Sequence, residues 1–226
     1  MTIEYETEPA AAAAVFGAQL EVARAFTRNL AIHGEELGLI GPLELPRLWT
    51  RHILNCGIMA PLLSGRVGDV GSGAGLPGLV LALARPDVEL LLIEPMERRC
   101  AWLSDQAAEL GLTNVTVVRD RAEDVRRDVL LDQVTARAVS ALKKLIPMTA
   151  PLVRPGGELI LMKGAGAAAE IEAAAKQIRQ FKLTNVEVLL LGEGVLEEVT
   201  RVEERKAELP GVIIEVEPST RTGTSA

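Results

Sequence analysis

The segment best equipped for chemistry is GDVGSGAGLPG, residues 68–78, which places an acid, Asp69, just ahead of glycines at 71, 73 and 75. It lies between a strand-like apolar run and a helix-like one, where the first turn of a doubly wound sheet holds its ligand. Glycines there let the backbone turn sharply and approach a flat ligand with no Cβ in the way. Pro77 suits the first turn of the helix that follows. The stretch Gly73-Ala-Gly75-Leu76-Pro-Gly78 also satisfies GxGxxG, a dinucleotide pattern that is weak by itself. A carboxylate at Asp69 would repel a pyrophosphate, yet it suits the cationic amino-acid end of S-adenosylmethionine, directly or through water. Glu94 closes LLLIEP, 23 residues beyond Gly71, and an acid there accepts the ribose hydroxyls of either cofactor. These residues favour S-adenosylmethionine over NAD. A tight turn with no ligand is the third reading.

Other candidates are less specific. Asp120-Arg-Ala122-Glu123 follows the third expected strand, where methyltransferases contact adenine, but a solvated acidic turn reads the same way. Arg137 sits inside the apolar run TARAV, where an arginine is costly unless it is paired or at the working edge of the sheet. A structural ion pair and a functional role both fit it. Arg47, Arg51 and Asn55 recur every fourth residue and read as a solvated helix face. Lys163 ends the fifth strand, on the side where parallel sheets bind ligands.

Missing residues narrow the reaction. The fourth strand ends Arg137-Ala-Val-Ser140, without the Asp/Asn-Pro-Pro-aromatic segment that holds an exocyclic amine. Cys56 and Cys100 read as core thiols, not nucleophiles, and lack the spacing for a disulfide framework or a zinc site, so no metal is expected. The two histidines, His33 and His52, form no Ser/His/Asp arrangement. What survives is transfer to an atom with a free lone pair that needs no base, such as guanine N7. Positioning alone can supply roughly 7–11 kcal/mol to such a step.

The elements that must hold these residues follow from periodicity. Residues 9–64 are expected to be helical, with Leu45, Leu48, Trp49, Ile53, Cys56, Ala60 and Leu63 on one face. From residue 66 strands alternate with helices: strands over 66–70, 88–94, 114–119, 133–139, 158–163 and 185–191, and helices over 77–84, 97–110, 141–153 and 167–181. A last strand is expected near 199–205, with Gly192-Glu-Gly194 as the turn of a late antiparallel pair. Short β-branched runs between helices indicate an α/β, Rossmann-like sheet, mostly parallel and covered on both faces. The expected organisation is an N-terminal helical extension (1–64), a methyltransferase domain (65–206) and a partly disordered C-terminal tail (207–226), whose last stretch PSTRTGTSA (218–226) lacks periodicity and is expected to fray.

Composition sets the outer bounds. A net charge of −7 excludes a globally basic nucleic-acid binder, and six aromatics are too few for a base-stacking platform. Residues 95–145 are nearly neutral, with nine Lys/Arg against eight acids, as an RNA face or a salt-bridged surface would be. An acidic N-terminus and the lack of any apolar run near the length of a membrane span point to a cytoplasmic protein with no membrane contact.

Six segments occur together in one known family: RHILN (51–55), GDVGSGAGLPG (68–78), IEPMERRCAWL (93–103), RAED (121–124), TARAVSAL (135–142) and MKG (162–164). Over roughly residues 20–206 the chain resembles the glucose-inhibited division protein B family, bacterial small-subunit rRNA guanine-N7 methyltransferases. The resemblance implies an S-adenosylmethionine-dependent enzyme that methylates N7 of guanine 527 in the 530 loop of 16S rRNA. It implies 16S rRNA within the 30S subunit or an assembly intermediate as partner, and a monomeric enzyme. Cofactor contacts are implied at Gly71, Leu76, Ala122, Glu123 and Arg137, with Glu94 as the ribose acid. Arg51, His52, Arg98 and Lys163 are implied near the RNA or the target base, and Arg137 and Lys163 are candidates for positioning it. A methyltransferase of a small molecule or a protein is the alternative. The chain departs from the family at Asn55-Cys56, where Asp-Ser is usual, and in its tail, which is not the usual basic one.

Overall fold

The computed structural model describes residues 3–125, 130–137, 139–192 and the backbone of 209–216. The described residues ahead of Arg66 form helices joined by turns, and none of them is in a strand. Helix α1 (Ala11–Phe16) leads into α2 (Leu20–His33), whose buried residues Ala23, Phe26, Thr27, Leu30 and Ala31 follow the i, i+3, i+4, i+7, i+8 stripe of an amphipathic helix. The expected continuous helix over 45–63 is instead a chain of short turns. A 3₁₀ segment (Pro42–Arg47), a π-helical stretch (Leu48–Leu54), one α turn, α3 (Asn55–Gly57), and a second 3₁₀ turn (Ala60–Leu62) succeed one another. Pro42, Pro46 and Pro61 each remove a backbone donor, which breaks the regular ladder. The apolar face survives: Leu48, Trp49, Ile53, Cys56, Ala60 and Leu63 are buried, and Leu45 is half-buried.

Seven strands form one sheet in the order β3-β2-β1-β4-β5-β7-β6. They are β1 (Arg66–Val70), β2 (Glu89–Ile93), β3 (Val115–Val118), β4 (Leu131–Arg137), β5 (Val153–Met162), β6 (Leu183–Leu191) and β7 (Leu209–Val216). Strands β1 to β5 are parallel, and β7 runs antiparallel between β5 and β6. Both faces of the parallel part are covered, which explains why its strands read as unbroken apolar runs. On β2, Leu90 and Leu92 join the core beneath the N-terminal helices, α4 (Gly78–Ala84) and α5 (Glu97–Glu109). Leu91 and Ile93 face the opposite core, which α6 (Leu142–Thr149) seals with Leu142, Leu145 and Ile146. The core on the first side is continuous from Phe16 and Phe26 of the extension to Val67 and Ile160 of the sheet.

Three expectations need correction. The helix expected over 141–153 ends in a 3₁₀ turn at Leu152, and Val153 already belongs to β5. The helix expected over 167–181 is two, α7 (Ala167–Ala173) and α8 (Ala175–Gln180), parted at Ala174. The strand expected near 199–205 lies outside the described residues. The antiparallel strand instead occupies Leu209–Val216, inside the segment assigned to the C-terminal tail and ahead of the stretch expected to fray. Among the described residues no helix is long and apolar enough to cross a membrane.

Candidate active site

The strand order reverses between β1 and β4, so the connections leaving their carboxyl ends diverge and open a crevice. The glycine loop lies on one side of it and the residues after β4 on the other. The two touch at Gly71: its φ is +75°, and a Cβ there would stand 2.8 Å from Val139 Cγ2. Gly73, also at positive φ, faces open space, where a Cβ would meet nothing closer than Gly71 O at 3.7 Å.

The amide groups of Gly71, Ser72, Gly73, Gly75 and Leu76 are all engaged within the protein. Gly71 N–H donates to Ile93 O at 2.8 Å, Gly73 N–H to Glu94 Oε2 at 3.0 Å, and Gly75 N–H to Ser72 O at 2.7 Å. Ser72 and Leu76 donate to Ile93 O and Ser72 O at longer range. Beneath the loop lie two buried carboxylates. Asp69, 0% exposed, accepts Gly78 N–H through Oδ2 at 3.0 Å and so ties the end of β1 to the start of α4. Its Oδ1 is buried without a hydrogen-bond partner among the described residues. Burial pushes the Asp69 carboxyl up to about 7, against the pull of Ser72, Gly78 N–H and Arg137. Glu94, 2% exposed, also accepts Met96 N–H through Oε1 at 3.0 Å, with Arg99 Nη1 3.9 Å from Oε2. Trp102 Nε1–H donates to Ala74 O at 3.0 Å and Cys100 Sγ–H to Glu94 O at 3.0 Å, so α5 braces both the loop and the strand end.

At the end of β4 a second group assembles across the chain. Arg137 Nη2 donates to His52 Nδ1 at 2.9 Å, and Nη1 reaches Arg51 O at 3.4 Å. His52 Nε2 meets Glu44 Oε2 at 2.7 Å, and the same carboxylate holds Arg47 Nη2 at 2.8 Å and Arg51 Nε at 3.3 Å. Burial, then the neighbouring Arg137 charge, brings the His52 imidazole down to about 4, so it is neutral at physiological pH. Burial works against ionisation of Glu44, but hydrogen bonds from His52 and Arg47 outweigh it and hold its carboxyl below the usual range. The stripe read as a solvated face is split. Arg47 and Arg51 are exposed and paired to Glu44, whereas Asn55 is buried with Oδ1 unpartnered.

The fold thus gathers Asp69, Gly71, Gly73, Gly75, Leu76 and Glu94 at one strand end, and Arg51, His52 and Arg137 at its neighbour. Lys163 is spoken for: its side chain is 9% exposed, and Nζ lies 2.8 Å from Glu170 Oε2 and donates to Ser140 O at 2.9 Å. Glu170 also accepts Leu142 N–H at 2.7 Å, so the pair anchors the connection from β4 to α6. Ala122 is buried beyond β3 while Glu123 is exposed, and Arg98 is exposed with its guanidinium beside Gly38. Among the described residues no hydrogen bond or ion pair joins Glu123 or Arg98 to the glycine loop. Burial raises both thiols, Cys56 to about 11, which does not suit a nucleophile. Sequence reasoning missed Glu44, Glu170, Cys100 and Trp102 as supports. Glu44 lies in a proline-flanked turn with no periodic relation to His52, so no pattern marked it.

This sheet order, with a glycine loop and an acid at adjacent strand ends, defines a Rossmann-like methyltransferase fold. Solved structures agree: an S-adenosylmethionine-dependent O-methyltransferase from Thermotoga maritima superposes with TM-score 0.55 at 16% identity, over 80% of this chain and 72% of that one. The 16S rRNA methyltransferase KamB superposes with TM-score 0.52 at 16% identity, over 71% and 91%. The family model described as rRNA small subunit methyltransferase G matches residues 19–198, and the chain belongs to that family. It is 69% identical to the ribosomal RNA small subunit methyltransferase G of Leifsonia xyli over 89% of this chain and 97% of that protein. The Corynebacterium glutamicum protein of the same name is 49% identical over 87% and 90%.

Proposed function

We propose that the chain transfers the methyl group of S-adenosylmethionine to N7 of guanine 527 in the 530 loop of 16S rRNA, within the 30S subunit or a precursor of it. The observation that carries the cofactor reading is the glycine loop, whose glycine amides are engaged within the protein above the buried carboxylates of Asp69 and Glu94. A pyrophosphate needs outward N–H donors and no nearby anions. A sulfonium and an ammonium find here the buried Glu94 carboxylate, an open face at Gly73 and an Asp69 carboxyl whose ionisation a bound cation would favour. The residues therefore fit S-adenosylmethionine. Glu94 would hold the ribose, Asp69 would favour the amino-acid end, and Gly71, Gly75, Leu76, Ala122 and Glu123 would line its bed.

When bound, S-adenosylmethionine supplies the methyl group, which the N7 lone pair takes as the carbon–sulfur bond breaks and its electron pair stays on sulfur. N7 carries no proton, so the protein is asked for placement and not for a base. His52 matches that demand, since its Nδ1 lone pair is engaged by Arg137 and its Nε2–H by Glu44. Arg137 presents positive charge and N–H donors beside the crevice and would orient guanine or the cofactor. Lys163 would act through the Ser140 loop it anchors. Arg51 and Arg98 would meet phosphates. The rRNA substrate itself rests on membership of the family.

The test is transfer of labelled methyl to 30S subunits lacking the modification, beside naked 16S rRNA and protein-only samples, with the labelled nucleoside identified. Label in 7-methylguanosine supports the reading. Label in protein or in no RNA, with clear cofactor binding, would favour a protein or small-molecule substrate. Absence of cofactor binding would sink it.

A further inference from the structure

We propose that Glu44 is a positioning residue for this transfer: through His52 it fixes the guanidinium of Arg137 at the carboxyl end of β4. The inference deepens the function proposed above and rests on it. Glu44 and His52 lie eight residues apart, and Arg137 is 85 residues beyond His52. A carboxylate only accepts, so at 2.7 Å the ring proton must sit on Nε2. That leaves the Nδ1 lone pair facing Arg137 Nη2 at 2.9 Å. With Glu44 removed, the neutral ring is free to carry its proton on Nδ1, which would set a donor against a donor. Among the described residues Arg137 would then keep only its 3.4 Å contact to Arg51 O. Its direction thus depends on a tautomer and a ring placement that Glu44 supports from the far side, in concert with Arg137. A brace serving only the helical extension would end at His52; here it continues onto the strand that borders the crevice.

Two measurements test this on the full chain. The protein has only two histidines, His33 and His52, so the ring nitrogens are readily assigned by NMR after ¹⁵N labelling. Wild type should show a neutral His52 protonated on Nε2, Glu44→Ala should weaken that preference, and Glu44→Gln, whose amide oxygen still accepts, should keep it. On 30S subunits Glu44→Ala should lower kcat by about ten- to a hundredfold, as misplacement of a reacting geometry does, with Glu44→Gln recovering most of it. The double variant with Arg137→Ala should be no worse than Arg137→Ala alone, because both act on one group. Nδ1 protonation in wild type, unchanged turnover in Glu44→Ala, or additive losses in the double variant would each overturn the proposal. If Glu44→Ala does not fold, the wild-type spectrum and Glu44→Gln still decide. The spectrum needs no RNA, so a wild type inactive on 30S would refute the substrate while the ring proton is judged separately.

Discussion

Glu94→Gln is the substitution that isolates how the glycine loop is held. The carboxylate accepts Gly73 N–H through one oxygen and Met96 N–H through the other, both at 3.0 Å, in a site 2% exposed. Glutamine keeps the shape but has one acceptor oxygen, so whichever way it lies its NH₂ faces one of those N–H groups. The loss is one charge-assisted hydrogen bond plus an unpaired buried donor, about 1.5–3 kcal/mol. For a domain of this size that lowers Tm by about 4–10 °C. The same carboxylate is the proposed ribose acceptor, so affinity for S-adenosylmethionine should weaken by about tenfold for each 1.4 kcal/mol lost there. Thermal unfolding without ligand measures the first effect and titration calorimetry the second. Glu97→Gln, at an exposed neighbour paired with Arg119, serves as control and should leave both within error. A Glu94→Gln protein with unchanged Tm and unchanged affinity would refute the claim that this carboxylate organises the loop.

Three further outcomes are expected. Burial raises the Asp69 carboxyl to about 7 in the folded chain, well above its ordinary value near 4. The folded state therefore binds the extra proton, and stability should fall as pH rises from about 4 to about 7; Asp69→Asn, which does not titrate, should flatten that slope in unfolding experiments across the interval. Gly71→Ala puts a Cβ at positive φ against Val139 and should cost about 1–3 kcal/mol of stability together with most of the cofactor affinity, read by the same unfolding and calorimetric assays. Arg137→Ala removes one hydrogen bond to a neutral ring and one long contact, so Tm should drop by no more than about 4 °C. Methyl transfer should fall at least about tenfold, and unchanged turnover in the folded variant would remove Arg137 from the site.

Local chemistry in the chain determined the loop, the acid and the sheet. Asp69, Gly71, Gly73 and Gly75 are close in sequence, and the apolar runs of β1, β2 and β4 announce a sheet buried on both faces because each strand must pack in two directions. Glu94 followed from its place at a strand end. The strand Leu209–Val216 was also written in the run Val212-Ile213-Ile214, but Pro210-Gly211 imitates a terminal turn, and only pairing with β5 and β6 reveals it as part of the sheet. Tertiary structure alone decided which way polar groups face and with whom they pair. It engaged the loop's glycine amides within the protein and Lys163 with Glu170. It also brought Glu44 and His52 to Arg137, a strand end far along the chain. A sequence pattern reports period and propensity; the partner of a buried charge is fixed by whatever the fold brings within about 3 Å of it.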